Sequence, residues 1–260
     1  MSRIKQAFSN GKAFIPFITA GDPSLELTEQ LVLSMAAAGA DLIELGIPFS
    51  DPIAEGEVIQ RADERALASG TTTDQIFAMV KSIRSKCDVP LAFMTYVNPV
   101  FSYGTERFMQ SCQAAGVDAL IVPDLPFEEK GELLPDCERY DVALISLIAP
   151  TSGDRIRMIA RQAQGFVYCV SSLGVTGVRT EISSQVGEMV RMVKEVKDIP
   201  CAIGFGVSTP EQARQMAQLA DGVIVGSAIV RIIEQYGRDC LPPVVDYVTA
   251  MVKAVKQDSA

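Results

Sequence analysis

Histidine is absent from the 260-residue chain. That absence removes the commonest metal ligand, the commonest general acid/base, and every Ser-His-Asp or Cys-His triad. Cysteine is present but scattered. Cys87, Cys112, Cys137, Cys169, Cys201 and Cys240 stand alone with no C-x-x-C pair, so they read as reduced structural thiols, and a zinc site built from thiolates has no cluster to draw on. Long apolar runs are missing too. Stretches such as 119–122 and 166–170 fall far short of the roughly 18 residues of a membrane span. Arg3, Lys5 and Lys12 precede no apolar segment of the secretory type, which makes the cytoplasm the expected location. Positive charge is scarce: 23 Lys and Arg face 32 Asp and Glu, a net charge of -9. With no basic patch to override that total, neither nucleic acid nor an anionic membrane is an expected partner. Catalysis is left to carboxylates, lysine, tyrosine or backbone dipoles, with no metal.

What is present is a core. Hydrophobic residues make up 48% of the chain and charged residues 21%, the balance of a globular protein. Eight short runs rich in Ile, Val, Leu and Phe recur at 14–18, 41–45, 91–95, 119–122, 143–148, 166–170, 201–203 and 222–225. They show little alternation, as expected of parallel strands buried on both faces. Between them lie amphipathic stretches at 25–38, 73–86, 106–115, 128–139, 155–163, 184–196 and 211–219. A weak repeat, Ala38-Gly39-Ala40-Asp41 and Ala115-Gly116-Val117-Asp118, places glycine where a helix closes before the next strand. No Pro/Ser/Gly-rich linker divides the sequence. The expectation is a single (β/α)8 barrel, the TIM-barrel architecture, over 1–260, with a doubly wound open sheet as the alternative. The long spacings after the second and sixth runs place extra short helices or loops at the face where barrel enzymes keep their active sites.

Glu44 interrupts the second run. A carboxylate in a strand buried on both faces costs several kcal/mol unless paired or protonated. A structural ion pair is one reading. Yet no arginine lies in the eight runs and the nine lysines lie outside them, and Glu44 sits toward the C-terminal end of its strand, so catalysis is the expected role. After it comes the polar loop Pro48-Phe49-Ser50-Asp51-Pro52-Ile53-Ala54-Glu55-Gly56-Glu57. Taken alone, its acids are those of a solvated loop.

Glycine turns follow the last three runs: Gly174-Val175-Thr176-Gly177, Gly204-Phe205-Gly206 and Gly226-Ser227-Ala228. Ser227 is expected to cap a short helix over 228–236 whose amides point into the barrel mouth, a phosphate site that needs no basic side chain. The stretch 176–187 is expected to be a loop that closes over substrate. With no lysine placed in the barrel mouth for a Schiff base and no metal ligands, carbon–carbon cleavage requires a substrate that carries its own electron sink.

The runs Phe17-Ile18-Thr19-Ala20-Gly21-Asp22-Pro23 and Ile43-Glu44-Leu45-Gly46-Ile47-Pro48-Phe49-Ser50-Asp51-Pro52, with the glycine turns above, resemble the tryptophan synthase alpha chain family over nearly the whole sequence. The resemblance implies cleavage of indole-3-glycerol phosphate to indole and glyceraldehyde 3-phosphate. It implies indole transfer to a beta subunit in an alpha2beta2 tetramer, with pyridoxal phosphate on the beta chain and no cofactor on this one. Glu44 matches the glutamate that handles protons, and Tyr168 an active-site tyrosine. Phe17, Ile59 and Tyr96 match the indole pocket; Thr176, Gly177, Phe205, Gly206, Gly226 and Ser227 match the substrate and phosphate turns. Asp51 and Pro52 match the beta-facing part of the loop. Glu55 stands where the family carries an aspartate on the indole N–H, and Glu57 replaces a proline. That departure suggests a second reading, a catalytically impaired subunit that binds and activates the beta chain.

Overall fold

A computed structural model of the chain describes residues 3–170, 179–204 and 206–256, and of 179–183 the backbone alone. Helix α1 (Arg3–Ala7) precedes strand β1 (Ala13–Thr19), and α2 (Leu25–Ala37) precedes β2 (Ile43–Gly46). Two helices, α3 (Glu57–Ala68) and α4 (Thr73–Arg84), lead to β3 (Leu91–Met94). Then α5 (Val97–Tyr103) and α6 (Thr105–Ala115) lead to β4 (Ala119–Ile121). A 3-10 turn at Phe127–Glu132 and α7 (Leu134–Arg139) come before β5 (Ala143–Leu144) and β6 (Ser146–Ile148). The remainder runs α8 (Gly153–Gln162), β7 (Val167–Val170), α9 (Arg179–Val196), β8 (Cys201–Gly204), α10 (Pro210–Leu219), β9 (Gly222–Val225), α11 (Ser227–Tyr236) and α12 (Leu241–Lys256).

Every strand pairing is parallel, in the order β5-β4-β3-β2-β1-β9-β8-β7-β6. The first and last of these are halves of one strand, parted only by Ile145, whose N–H still reaches the Leu120 carbonyl at 2.9 Å. The sheet therefore closes on itself as a (β/α)8 barrel, and the eight apolar runs are its eight strand positions.

Alternation along each strand divides the core in two. Outward residues such as Phe14, Ile18, Ile43, Leu45 and Phe93 meet the helices. Inward residues, among them Ile15, Leu42, Ala92, Ala119, Ile121, Tyr168, Ala202 and Ile224, fill the barrel. Helix α1 plugs the N-terminal mouth: Ile4 and Ala7 join the inner cluster, and the Phe8 ring lies 5.6 Å from that of Phe166. On that same face Arg3 pairs with Asp118 at 3.1 Å, while Lys256 pairs with Asp41 at 2.8 Å.

Several expectations need correction. The helix expected over 128–139 breaks into a 3-10 turn and α7, because Pro135 lacks an N–H and belongs in a first turn. Helix α9 begins at Arg179 rather than 184, so the loop expected over 176–187 is helical from Arg179; its polar opening residues carry no apolar periodicity to announce it. Helices α1, α5 and α12 had no expectation, and α3 is the extra element expected after the second run. The helix-closing glycines are as expected, with Gly39 at φ 101° and Gly116 at φ 87°.

Candidate active site

Glu44 follows Leu42 by two residues, so its side chain enters the barrel one layer nearer the C-terminal mouth. Its neighbours in register are Phe17 on β1 and Ala92 on β3, and the small alanine leaves room beside it. The side chain is fully buried, and neither carboxyl oxygen has a hydrogen-bond partner among the described residues. Burial alone pushes the group up to about 8. At neutral pH it is a carboxylic acid, able to give a proton and then take one back.

Tyr168 of β7 points into the same space, in register with Ala202. Burial first and the Glu44 charge second push its hydroxyl well up, so it is neutral and keeps its proton. A side chain at Gly204 would put Cβ 2.3 Å from the Tyr168 hydroxyl oxygen; only glycine leaves the ring its place.

The loop after β2 is pinned from both sides. The buried Tyr96 hydroxyl accepts the Ala54 N–H at 3.0 Å, and Gln60 Nε2 donates to the Glu55 carbonyl at 2.8 Å. The Tyr96 ring also lies 5.5 Å from Phe49, and burial lifts its hydroxyl to about 12. These contacts turn the half-buried Glu55 side chain inward, where it meets Asp63 of α3. Both acids are pushed up, chiefly by burial. Asp51 and Pro52 lie on the outer rim; Asp51 accepts from the Ser50 hydroxyl at 2.5 Å and is exposed, next to Ile53 at 79% exposure.

Phe17 forms a small cluster with Ala62 and Val230, against which Ile59 and Met94 pack. Phe17 and Ile59 thus share one apolar cluster, whose Phe17 is in register with Glu44. The ring of Phe17 needs two glycines, since a Cβ on Gly46 would lie 2.7 Å from its Cζ and one on Gly226 would lie 3.2 Å from its Cδ1.

At the last two strand ends, Gly206 adopts φ 74° with open space where a side chain would stand, and Gly226 precedes α11. Ser227 does not cap that helix. Gly226 is the N-cap, with no side-chain bond, and Ser227 is the first helical residue, because the tight approach of Phe17 keeps the turn on the glycine. The amides of Ser227 and Ala228 head the helix, where no intrahelical carbonyl is available to them. Thr176, Gly177 and Phe205 lie outside the described residues. Among the described residues no three Cys, Asp or Glu gather into a group that could hold a metal ion. A cavity of about 250 Å³ elsewhere, lined by Phe127, Leu147 and Arg155 among others, contains none of these side chains, and its Arg155 is paired with Glu128.

Asp63 was not among the expected site residues. The signal is present but faint: it lies four residues after Ile59 and between Ala62 and Ala66, on the buried side of α3.

The sequence matches the family model for the tryptophan synthase alpha chain over residues 2–257. It is 51% identical over 239 residues to a tryptophan synthase alpha chain from Shouchella clausii, covering 92% of this chain and 88% of that one. The fold superposes on a crystal structure of the tryptophan synthase alpha chain from Legionella pneumophila with a TM-score of 0.90, at 38% identity over 100% of this chain and 99% of the other. It also superposes on a chain of the tryptophan synthase a2b2 complex from Pyrococcus furiosus with a TM-score of 0.86, at 37% identity, covering 94% and 98% of the two chains. The chain belongs to the tryptophan synthase alpha chain family.

Proposed function

We propose that this chain, acting as one catalytic domain over 1–260, cleaves indole-3-glycerol phosphate to indole and glyceraldehyde 3-phosphate. The observation that carries the reading is Glu44, a lone carboxylic acid buried in the barrel interior. Its proton goes to C3 of the indole ring, which becomes an iminium-like electron sink. The Glu44 carboxylate then takes the proton of the chain hydroxyl next to the ring. The C–O bond becomes the aldehyde C=O, the carbon–carbon bond breaks, and its electron pair returns to the ring. One proton enters and one leaves. Glu55 accepts the ring N–H and balances the positive charge as it develops; Phe17, Ile59 and Tyr96 hold the ring, and Tyr168 donates beside Glu44. Gly206, Gly226 and Ser227 bind the phosphate, together with Thr176, Gly177 and Phe205. This chain needs no cofactor of its own; pyridoxal phosphate serves the chemistry of a beta partner, which docks on the rim at Asp51 and Pro52 in an alpha2beta2 assembly and receives indole. Six free cysteines, five of them buried, suit the reducing cytoplasm.

Indole release from indole-3-glycerol phosphate, by the chain alone and with the beta subunit, tests the reading. Activation of the beta subunit without indole release would establish the regulatory alternative instead. The phosphate assignment predicts that Ser227→Pro and Gly206→Val each weaken glycerol phosphate binding by about tenfold, by removing the Ser227 amide donor or by filling open space. Unchanged calorimetric affinity in both folded variants would place the phosphate elsewhere.

A further inference from the structure

Asp63 is only 4% exposed, on the face of α3 that looks across to the loop after β2. Three groups contact its carboxyl: the Phe49 N–H, the Thr19 hydroxyl at 3.5 Å, and the carboxyl of Glu55. Among the described residues no cation joins them. The two arginines of the same helix are engaged outside, Arg65 by Asp22 and Glu234 and Arg61 by Glu234. From the other neighbouring elements come Tyr96 and, beyond it, Asp124; Arg231 of α11 is exposed. Two carboxyl groups in contact without a cation cannot both carry charge at modest cost, so they hold one proton between them. Glu55 Oε2 is buried and has no partner among the described residues.

We propose that Asp63 is a positioning residue: as the neutral acid of the pair it donates its proton to the Glu55 carboxylate, fixing that group and leaving Oε2 for a donor on the substrate. This rests on the reading in which that donor is the ring N–H. Burial, and after it the Glu55 charge, push Asp63 up to about 8. Just below that pH the pair carries one negative charge and one proton. Above it the second charge forces the carboxyls apart and Glu55 loses its orientation.

The test compares Asp63→Asn, which keeps a donor but cannot titrate, with Asp63→Leu, which has none. Asp63→Leu is expected to lower kcat by about tenfold, more than it changes KM, and Asp63→Asn to restore most of that loss. Glu44 titrates in the same range, so the proton is followed directly, by the infrared carbonyl band of protonated carboxyls in the Glu44→Gln chain. A band titrating near pH 8 is expected there, and Asp63→Asn in the same background should remove it. If the band survives that change, or if Asp63→Leu matches the parent in kcat, Asp63 does not position Glu55. If the band behaves as expected while Glu55→Ala keeps full turnover, the shared proton is real and the assignment of Glu55 to the ring N–H is what fails, taking the positioning role with it.

Discussion

Glu44→Gln is expected to reduce indole formation by about 10² to 10⁴-fold, the range that general acid/base groups contribute, and to shift folding stability in the variant's favour as pH rises. The substitution keeps the shape of the side chain and removes its proton chemistry, so substrate binding and activation of the beta subunit should persist. The stability effect follows from linkage. Folded Glu44 holds its proton up to about 8, against 4.5 for the ordinary group. Between those values the unfolded chain has released a proton that the folded chain keeps, so raising the pH favours unfolding, by up to about 1.4 kcal/mol per pH unit. Glutamine does not titrate, and the wild type alone carries this slope. Steady-state rates together with urea unfolding of both chains from pH 5 to 8 check both halves. Near-normal turnover would remove Glu44 from the mechanism, and parallel pH-stability profiles would mean that its carboxyl is not held neutral.

Glu55→Ala should lower turnover by about a hundredfold and Glu55→Asp by about tenfold or more, measured with the beta subunit present. One methylene moves the carboxyl by more than 1 Å, and the backbone is not free to follow it, because Tyr96 holds the Ala54 N–H and Gln60 holds the Glu55 carbonyl. Shortening also withdraws the group from Asp63. The longer side chain is therefore the one this loop is built around. A gain for aspartate would show a mis-set natural site. No effect from alanine would remove Glu55 from catalysis.

The barrel was legible in the sequence because strands buried on both faces must be apolar at nearly every position, and that constraint leaves runs such as Phe14 to Ile18 in plain view. Glu44 was legible for the same reason: a carboxylate within such a run stands out. Helix α3 was not. Its buried side consists of Ala62, Asp63 and Ala66, with Glu57, Arg61, Glu64 and Arg65 around it, a pattern hard to tell from a polar loop by hydrophobicity. Asp63 depends further on a contact with Glu55 across a turn, and no spacing rule gives it. The cap of α11 went to Gly226 instead of Ser227 because a ring from another strand, Phe17, decided the turn.

The plug formed by α1 bears on how the protein can be handled. Arg3 is clasped by Asp118 and Lys256 by Asp41, residues that precede β4 and β2 on the face opposite Glu44. A fluorophore, surface tether or fusion domain attached beyond either position would leave the molecule from its closed end, about a barrel length from the mouth. Immobilised through such a tag, the protein would present its catalytic rim to solution, and partner capture could be followed on a sensor surface without the attachment competing for the same ground.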